Sequence, residues 1–242
     1  MQMSAPSPPF SAGERLTFQI RWGIINAGQA TLEIAQPEGD SSQDSQHFIL
    51  TVKTSPAIDI FYKFRERVDS YTDSNVTKTL RYKKVQSGRT TRDIDVAFDW
   101  QNNKVQYSNF GTPLEPIDLQ AGTLDPLSSL YYIRRQVTGP NILIERPVTD
   151  GKKIVIGKVH YIKQETISIN GKEYDTIMLE PELKHVKGVF EKSKNSKMYI
   201  WVTNDSRKLL VKLKSKVVVG SFVAELIDYQ ENSAQREKNG AT

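Results

Sequence analysis

Cysteine is absent from all 242 residues, which removes thiol nucleophiles, thiolate metal ligands and disulfide cross-links from the chemistry open to this chain. A chain of this length needs none of them for a core, since it can bury roughly 70% of its unfolded surface by apolar packing alone. The absence leaves the redox compartment undetermined. Histidine is scarce: His47, His160 and His185 are the three, far apart and without shared spacing, so neither a metal site nor a cofactor is expected. No apolar run approaches the roughly 18 to 20 residues of a membrane-crossing helix. There is no nucleophile elbow, phosphate-binding glycine loop, dinucleotide fingerprint or HExxH pair.

What is present is mildly basic, with a formal charge of +5 and a quarter of the residues charged. That balance is a weak pointer to acidic partners. The first residues are rich in Ser and Pro and lack the basic start and apolar stretch of a signal peptide. Residues 1–12 are expected to be a disordered leader, 13–230 a single antiparallel β domain, and 231–242 a flexible tail.

Period-two alternation dominates the body of the chain. Leu16, Phe18, Ile20 and Trp22 alternate with polar neighbours, Asn26, Ala27 and Gly28 supply turn chemistry, and Ala30, Leu32 and Ile34 resume the rhythm. Further on, Ile94, Val96, Phe98 and Trp100 face one way and Asp93, Asp95 and Asp99 the other. Between Ala57 and Phe64 lies an apolar, aromatic run expected to form a half turn packed over a barrel end. One segment has helical spacing: Asp125 suits the N-cap, Pro126 the first helical position, Leu127, Leu130, Tyr131 and Arg134 form a stripe, and Gly139 and Pro140 close it. From Ile142 the strands return, in segments that include 152–163, 164–169, 188–190 and 208–219, and Asn170-Gly171 marks a tight hairpin. One helix among many strands excludes βαβ units. The expected fold is mainly β, a large, strongly coiled antiparallel sheet or a partly closed barrel or sandwich, with one prominent helix near 125–138.

Asp93 and Asp95 share a strand face about 7 Å apart, near the carboxylate spacing of an inverting glycosidase. Carboxylates on a wet face are expected in any case, so no catalytic residue is assigned. A hydrolase of envelope polysaccharide built on Asp93 and Asp95, or on convergence of Asp69, Asp125 and Arg134, is the rival from another class. The ordinary roles of Asp125 and Arg134 are capping the helix and pairing at its later turns. Lys184, Lys187, Lys192, Lys194 and Lys197, followed by Lys208, Lys212, Lys214 and Lys216, form a basic region that serves solubility and edge protection. Nucleic acid is not expected, because the aromatics alternate into the core instead of interleaving with these lysines. Trp22, Trp100 and Trp201, with Phe18, Phe98, Tyr199 and Phe222, are candidates to line an amphiphile cavity, and Tyr131 and Arg134 join the ligand-binding candidates. The leading expectation is a non-catalytic envelope protein that binds a lipid, another amphiphile or an envelope partner. An assembly factor without a small ligand is the third possibility.

The order of motifs resembles the domain of unknown function 3108 family of exported bacterial proteins. Gly13-Glu14-Arg15-Leu16, Trp22-Gly23, Ala27-Gly28, Phe61-Tyr62 leading to Asp69, and Leu124-Asp125-Pro126-Leu127 through Tyr131 with Arg134 carry it in the first half. Trp201 to Asp205 with Arg207, Val219 to Phe222 and Ala224-Glu225-Leu226 carry it in the second. Leu210 departs from it where a proline is expected. The resemblance implies an antiparallel β fold and a place in the periplasm or cell envelope, with the signal peptide removed, and brings no activity, cofactor or catalytic residue.

Overall fold

The computed structural model describes residues 8–36, 45–140, 142–182, 197–216 and 221–231. The strands are β1 (Arg15–Trp22), β2 (Ile25–Ile34), β3 (Ser45–Thr54), β4 (Arg65–Asp73), β5 (Thr79–Ser87), β6 (Arg92–Asp99), β7 (Lys104–Asn109), β8 (Thr112–Pro113) and β9 (Ile117–Asp118) in the first half. The second half adds β10 (Leu143–Thr149), β11 (Ile154–Ile169), β12 (Lys172–Pro181), β13 (Lys197–Thr203), β14 (Leu210–Lys216) and β15 (Ser221–Gln230). Among the described residues two helices interrupt them, α1 (Pro56–Asp59) and α2 (Pro126–Gln136).

All these strands pair antiparallel in one open sheet of order β10-β11-β12-β13-β14-β15-β1-β2-β3-β4-β5-β6-β7-β8, with β9 also on β7. Consecutive strands are neighbours almost throughout, as short connections require. The exception is the centre, where β15 returns to pair with β1, Ile20 opposite Ala224 and Trp22 opposite Phe222. This joins the two halves of the chain into one surface. The sheet coils until inward residues from both halves, such as Phe18 and Leu213, face a common space, so one face is dry and the other wet.

The alternation read from the sequence holds where the inward row is bulky: Leu16, Phe18, Leu32, Ile34, Phe48, Val96 and Val105 are all buried. Each such side chain contributes roughly 1.5–3 kcal/mol on burial. The Asn170-Gly171 turn is as expected, both residues having positive φ, 51° and 79°, between the paired ends of β11 and β12. That is the backbone a type I′ hairpin needs.

Several expectations are corrected. Phe10 is not part of a disordered leader, for it is buried with its ring against Phe48 and Tyr131. Gly28 does not make a turn. The β1–β2 turn is at Gly23-Ile24, and Gly28 lies within β2, where a Cβ would fall 2.2 Å from the Lys53 carbonyl oxygen. A glycine inside a strand here marks a close backbone approach, next to an irregularity in the register of β1 on β2. Residues 152–169, read as two strands, contain the single strand β11, whose register shifts near Tyr161. Residues 112–118 run back along β7 as β8 and β9. The apolar run after α1 is not packed over a barrel end, since Ile60 and Phe61 are exposed. Residues 188–190, 217–219 and Lys184, Lys187, Lys192 and Lys194 lie outside the described residues.

Coiling brings the β10 end of the sheet round towards β5, and residues 119–125 stitch the seam between them. Thr79 N–H donates to the Thr123 carbonyl (3.1 Å), Leu124 N–H to Pro147 O (2.9 Å) and Thr149 N–H to Leu124 O (2.9 Å), so the segment bonds to β5 on one side and β10 on the other. The β10–β11 turn then packs on the inner face of β6 and β7. Gly151, at φ +94°, sits so close that a Cβ would lie 2.8 Å from Val96 Cγ2 and 3.1 Å from Tyr107 Cδ2.

Candidate functional site

The stitch leads directly into α2, and its N-cap fixes the helix inside the coil. Asp125 Oδ1 accepts from the backbone N–H groups of Leu127 (2.8 Å) and Ser128 (3.1 Å), while Oδ2 accepts from Ser70 Oγ (2.5 Å) and Thr79 Oγ1 (2.8 Å). Ser128 Oγ accepts in return from the Asp125 backbone N–H at 3.0 Å, completing a capping box. The helix therefore starts where β4 and β5 hold it. Farther along, Tyr131 stacks on Phe48, ring centroids 3.8 Å apart. Tyr131 Oη is buried without a partner among the described residues, and burial pushes its phenol well above the ordinary range.

Beneath this helix the curl is not filled. A cavity of about 630 Å³ lies between the inner face of the sheet and the first turn of α2, within the size range of small-molecule sites. Phe18, Ala30, Leu32, Leu50 and Val68 form the wall on β1 to β4, Leu213 and Ala224 continue it on β14 and β15, and Leu127 and Leu130 face it from the helix. The space exists because Ala30 and Ala224 put small side chains on inward rows that are elsewhere bulky.

Polar groups line the cavity in one region. Glu66 and Lys84 face in from β4 and β5 and pair with each other at 2.5 Å. Arg92, at the start of β6, and Lys152 and Lys153, in the β10–β11 turn, are exposed and also line it, so the cavity opens to solvent there. Asp150 is the remaining carboxylate. With Glu66 neutralised by Lys84, three cations face one anion at the mouth.

The sequence candidates fall elsewhere, since none of Trp22, Trp100, Tyr131, Arg134 or Trp201 lines this cavity. Trp22 ends the inward row of β1 at the rim, 41% exposed and stacked with Phe222 at 6.3 Å. Trp100 follows β6 and donates its indole N–H to Thr79 O at 2.8 Å, part of the scaffold under the helix cap. Trp201 is buried, only 7% exposed, but away from the cavity: its neighbour Ile200 pairs with Leu213, which lines the cavity, and alternation puts the next residue on the opposite face of the sheet. Its indole donates to Glu165 Oε1 at 2.9 Å, and Lys212 lies over the ring. Of the named aromatics, Phe18 alone reaches the cavity. What the sequence reading missed were the small and aliphatic wall residues and the basic mouth. The signal available was the alanine in the Ala30, Leu32, Ile34 row.

The carboxylates weighed for catalysis do not converge. Asp93 and Asp95 lie on the outer face, Asp95 held by Arg81 at 2.5 Å, and the Arg81 hydrogen bonds lower its pKa despite partial burial. Asp69 is clamped by Arg67 and His47 on the outside of β4. Asp125 is consumed by the cap. Arg134 is buried with Glu14, the Nη1–Oε1 distance 2.5 Å. Four separate networks replace the site the hydrolase reading required. His160 pairs with Glu182 at 2.9 Å, and no cluster of metal-ligating residues occurs among the described residues. No helix among the described residues is long and apolar enough to cross a membrane.

A family model described as "Protein of unknown function (DUF3108)" matches residues 17–227. A search of curated proteins finds no match. Among solved structures, the chain is similar to a β-barrel-like protein of domain of unknown function DUF1849 from Brucella abortus, at 9% identity and TM-score 0.58 over 93% of this chain and 99% of that one. A Bacteroides fragilis protein described as exported, with a YmcC-like fold, matches at 8% identity and TM-score 0.34, covering 92% and 98%. A protein described as a lipoprotein from Parabacteroides distasonis matches at 12% and 0.32, covering 92% and 98%.

Proposed function

This chain belongs to the DUF3108 family, and we propose that this member is a non-catalytic carrier that holds an anionic amphiphile in the cavity of its coiled sheet, at the cell envelope. The observation that carries the reading is the apolar space of about 630 Å³ whose mouth bears Arg92, Lys152 and Lys153. Aliphatic walls take a hydrocarbon tail out of water at about 25 cal/mol per Å² of apolar surface buried. The exposed cations meet an acidic head group without themselves being desolvated, which favours binding at little cost. The family resemblance to exported proteins supports the envelope location.

Filling the space tests the reading. Delipidated protein is expected to take up a fluorescent fatty-acid probe at about one equivalent, and Ala30→Phe to weaken uptake tenfold or more while leaving the unfolding midpoint within a few degrees. Native mass spectrometry without copurified amphiphile, together with no probe uptake, would remove the proposal.

A further inference from the structure

We infer that the end of the coil carrying the β1–β2 turn and the α1 segment docks on an anionic lipid bilayer. Two stretches of chain put large apolar side chains into water there: Ile24 is 99% exposed at the apex of the turn, and Ile60 and Phe61 are 77% and 87% exposed after α1. Single exposed apolar residues are ordinary, but grouped ones on neighbouring tips are not. These tips are neighbours because Ser55 donates its backbone N–H to Ala27 O at 3.0 Å and its hydroxyl to Asn26 O at 2.9 Å. Trp22, stacked on Phe222, stands beside them at the rim.

The tips are held out by built structure. Gly23, at φ +59°, turns the chain sharply before Ile24. Below Ile60 and Phe61, Asp59 accepts from Thr54 Oγ1 (2.5 Å) and from both terminal nitrogens of Arg65 (2.9 and 2.5 Å), which pins α1 to the ends of β3 and β4. The exposure is thus a feature of the fold.

Charge selects the partner. Among the described residues, the carboxylates near this end are neutralised, Asp59 by Arg65, Glu66 by Lys84 and Glu225 by Arg21 and Lys212. Lys53 and Lys63 flank the tips, and the Arg89 guanidinium lies 5.9 Å above the Tyr62 ring. Apolar tips with Trp and Tyr at their base and surplus cations around them fit an acidic membrane interface, where side chains enter the acyl boundary and cations meet head groups. A lipid surface moulds around separate convex tips, whereas a rigid protein would need a matching pocket for each. The inference stands on these loops and does not depend on the cavity.

Co-sedimentation of the full chain with vesicles of phosphatidylcholine alone, or with phosphatidylglycerol added, tests it. The chain is expected to pellet with the anionic vesicles, less so as salt is raised, and the double variant Ile24→Ser/Phe61→Ser to bind at least tenfold more weakly with unchanged circular dichroism. Lys63→Glu/Arg89→Glu should remove the preference for anionic lipid. Equal binding to neutral vesicles, no binding to either, or full binding by the Ser variant overturns the inference. So does a self-associated species in sedimentation that the Ser substitutions dissociate without changing lipid binding, since the tips would then serve a second copy.

Discussion

Glu14 and Arg134 meet as a two-pronged ion pair across 120 residues of sequence, Nη1 to Oε1 at 2.5 Å and Nη2 to Oε2 at 2.9 Å, with side chains only 4% and 1% exposed. The pair locks the last turns of α2 to the entrance of β1. Arg134 also donates to the carbonyls of Lys208 (2.8 Å) and Arg207 (3.2 Å), and Phe10 and Tyr131 lie against its guanidinium. Burial opposes its charge, but the Glu14 carboxylate outweighs that penalty and raises the Arg134 pKa.

Breaking one side of this pair strands the other charge in the interior. Arg134→Met is expected to cost about 3–5 kcal/mol, and Glu14→Leu/Arg134→Met together to cost clearly less, because the double variant leaves no lone charge. Urea unfolding of the wild type, both single variants and the double variant reads this directly. A double variant as unstable as the sum of the singles would contradict it.

The Asp125 cap predicts a larger loss than a surface cap would. Asp125→Ala forfeits the helix cap, typically about 1 kcal/mol, and leaves the Ser70 hydroxyl short of an acceptor in the interior, at about 1–3 kcal/mol more, while Thr79 Oγ1 keeps Ser128 Oγ at 2.9 Å. Chemical denaturation should give a total of roughly 2–4 kcal/mol. A loss below about 1 kcal/mol would mean the network adds nothing to the cap.

At the seam, Gly151→Ala introduces a methyl group 2.8 Å from Val96 Cγ2 at a φ of +94°. Both the clash and the backbone conformation oppose it, so about 1–3 kcal/mol of destabilisation is expected. Amide exchange should quicken first along β10 and in residues 119–125, which close the coil. Uniform quickening over the whole sheet would show that the seam does not open separately.

Acid should release the α1 staple. Hydrogen bonds from Arg65, then Thr54, hold the Asp59 pKa at about 2, below the model-peptide 3.8. A carboxylate lowered in the folded state contributes stability that is fully present above the unfolded value and is lost as pH falls through the folded one. The contribution should therefore be intact at pH 5 and fade between about 4 and 2. A carbon-detected NMR titration of Asp59 should place its midpoint near 2, and Arg65→Gln should return it toward the ordinary range. A wild-type midpoint close to 4 would contradict the staple.

Local pattern was legible wherever one face of a strand is wet. Asp93, Asp95 and Asp99 against Val96 and Phe98 in β6, the turn at Asn170-Gly171, and the cap at Asp125-Pro126 each rest on residues close in sequence. Alternation and turn or cap chemistry act over two to four residues, so the sequence carries them in full. Gly28 misled because a glycine needed for close approach inside a sheet looks, in isolation, like one needed for a turn. Trp201 misled because its neighbours Ile200 and Val202 are also apolar, so its side of the strand could not be assigned from alternation.

The sequence by itself determined that this protein is an antiparallel β sheet with one capped helix, and to which family it is akin. Only the tertiary structure decided where the space lies. A cavity depends on which inward rows meet across the coil and on how residues 119–125 stitch β10 to β5, and these are relationships between residues such as Phe18 and Leu213 or Gly151 and Val96. Hydrophobic burial rewards any dry interior alike. The register of β15 on β1, and the helix anchored by Glu14 and Arg134, leave this one partly unfilled.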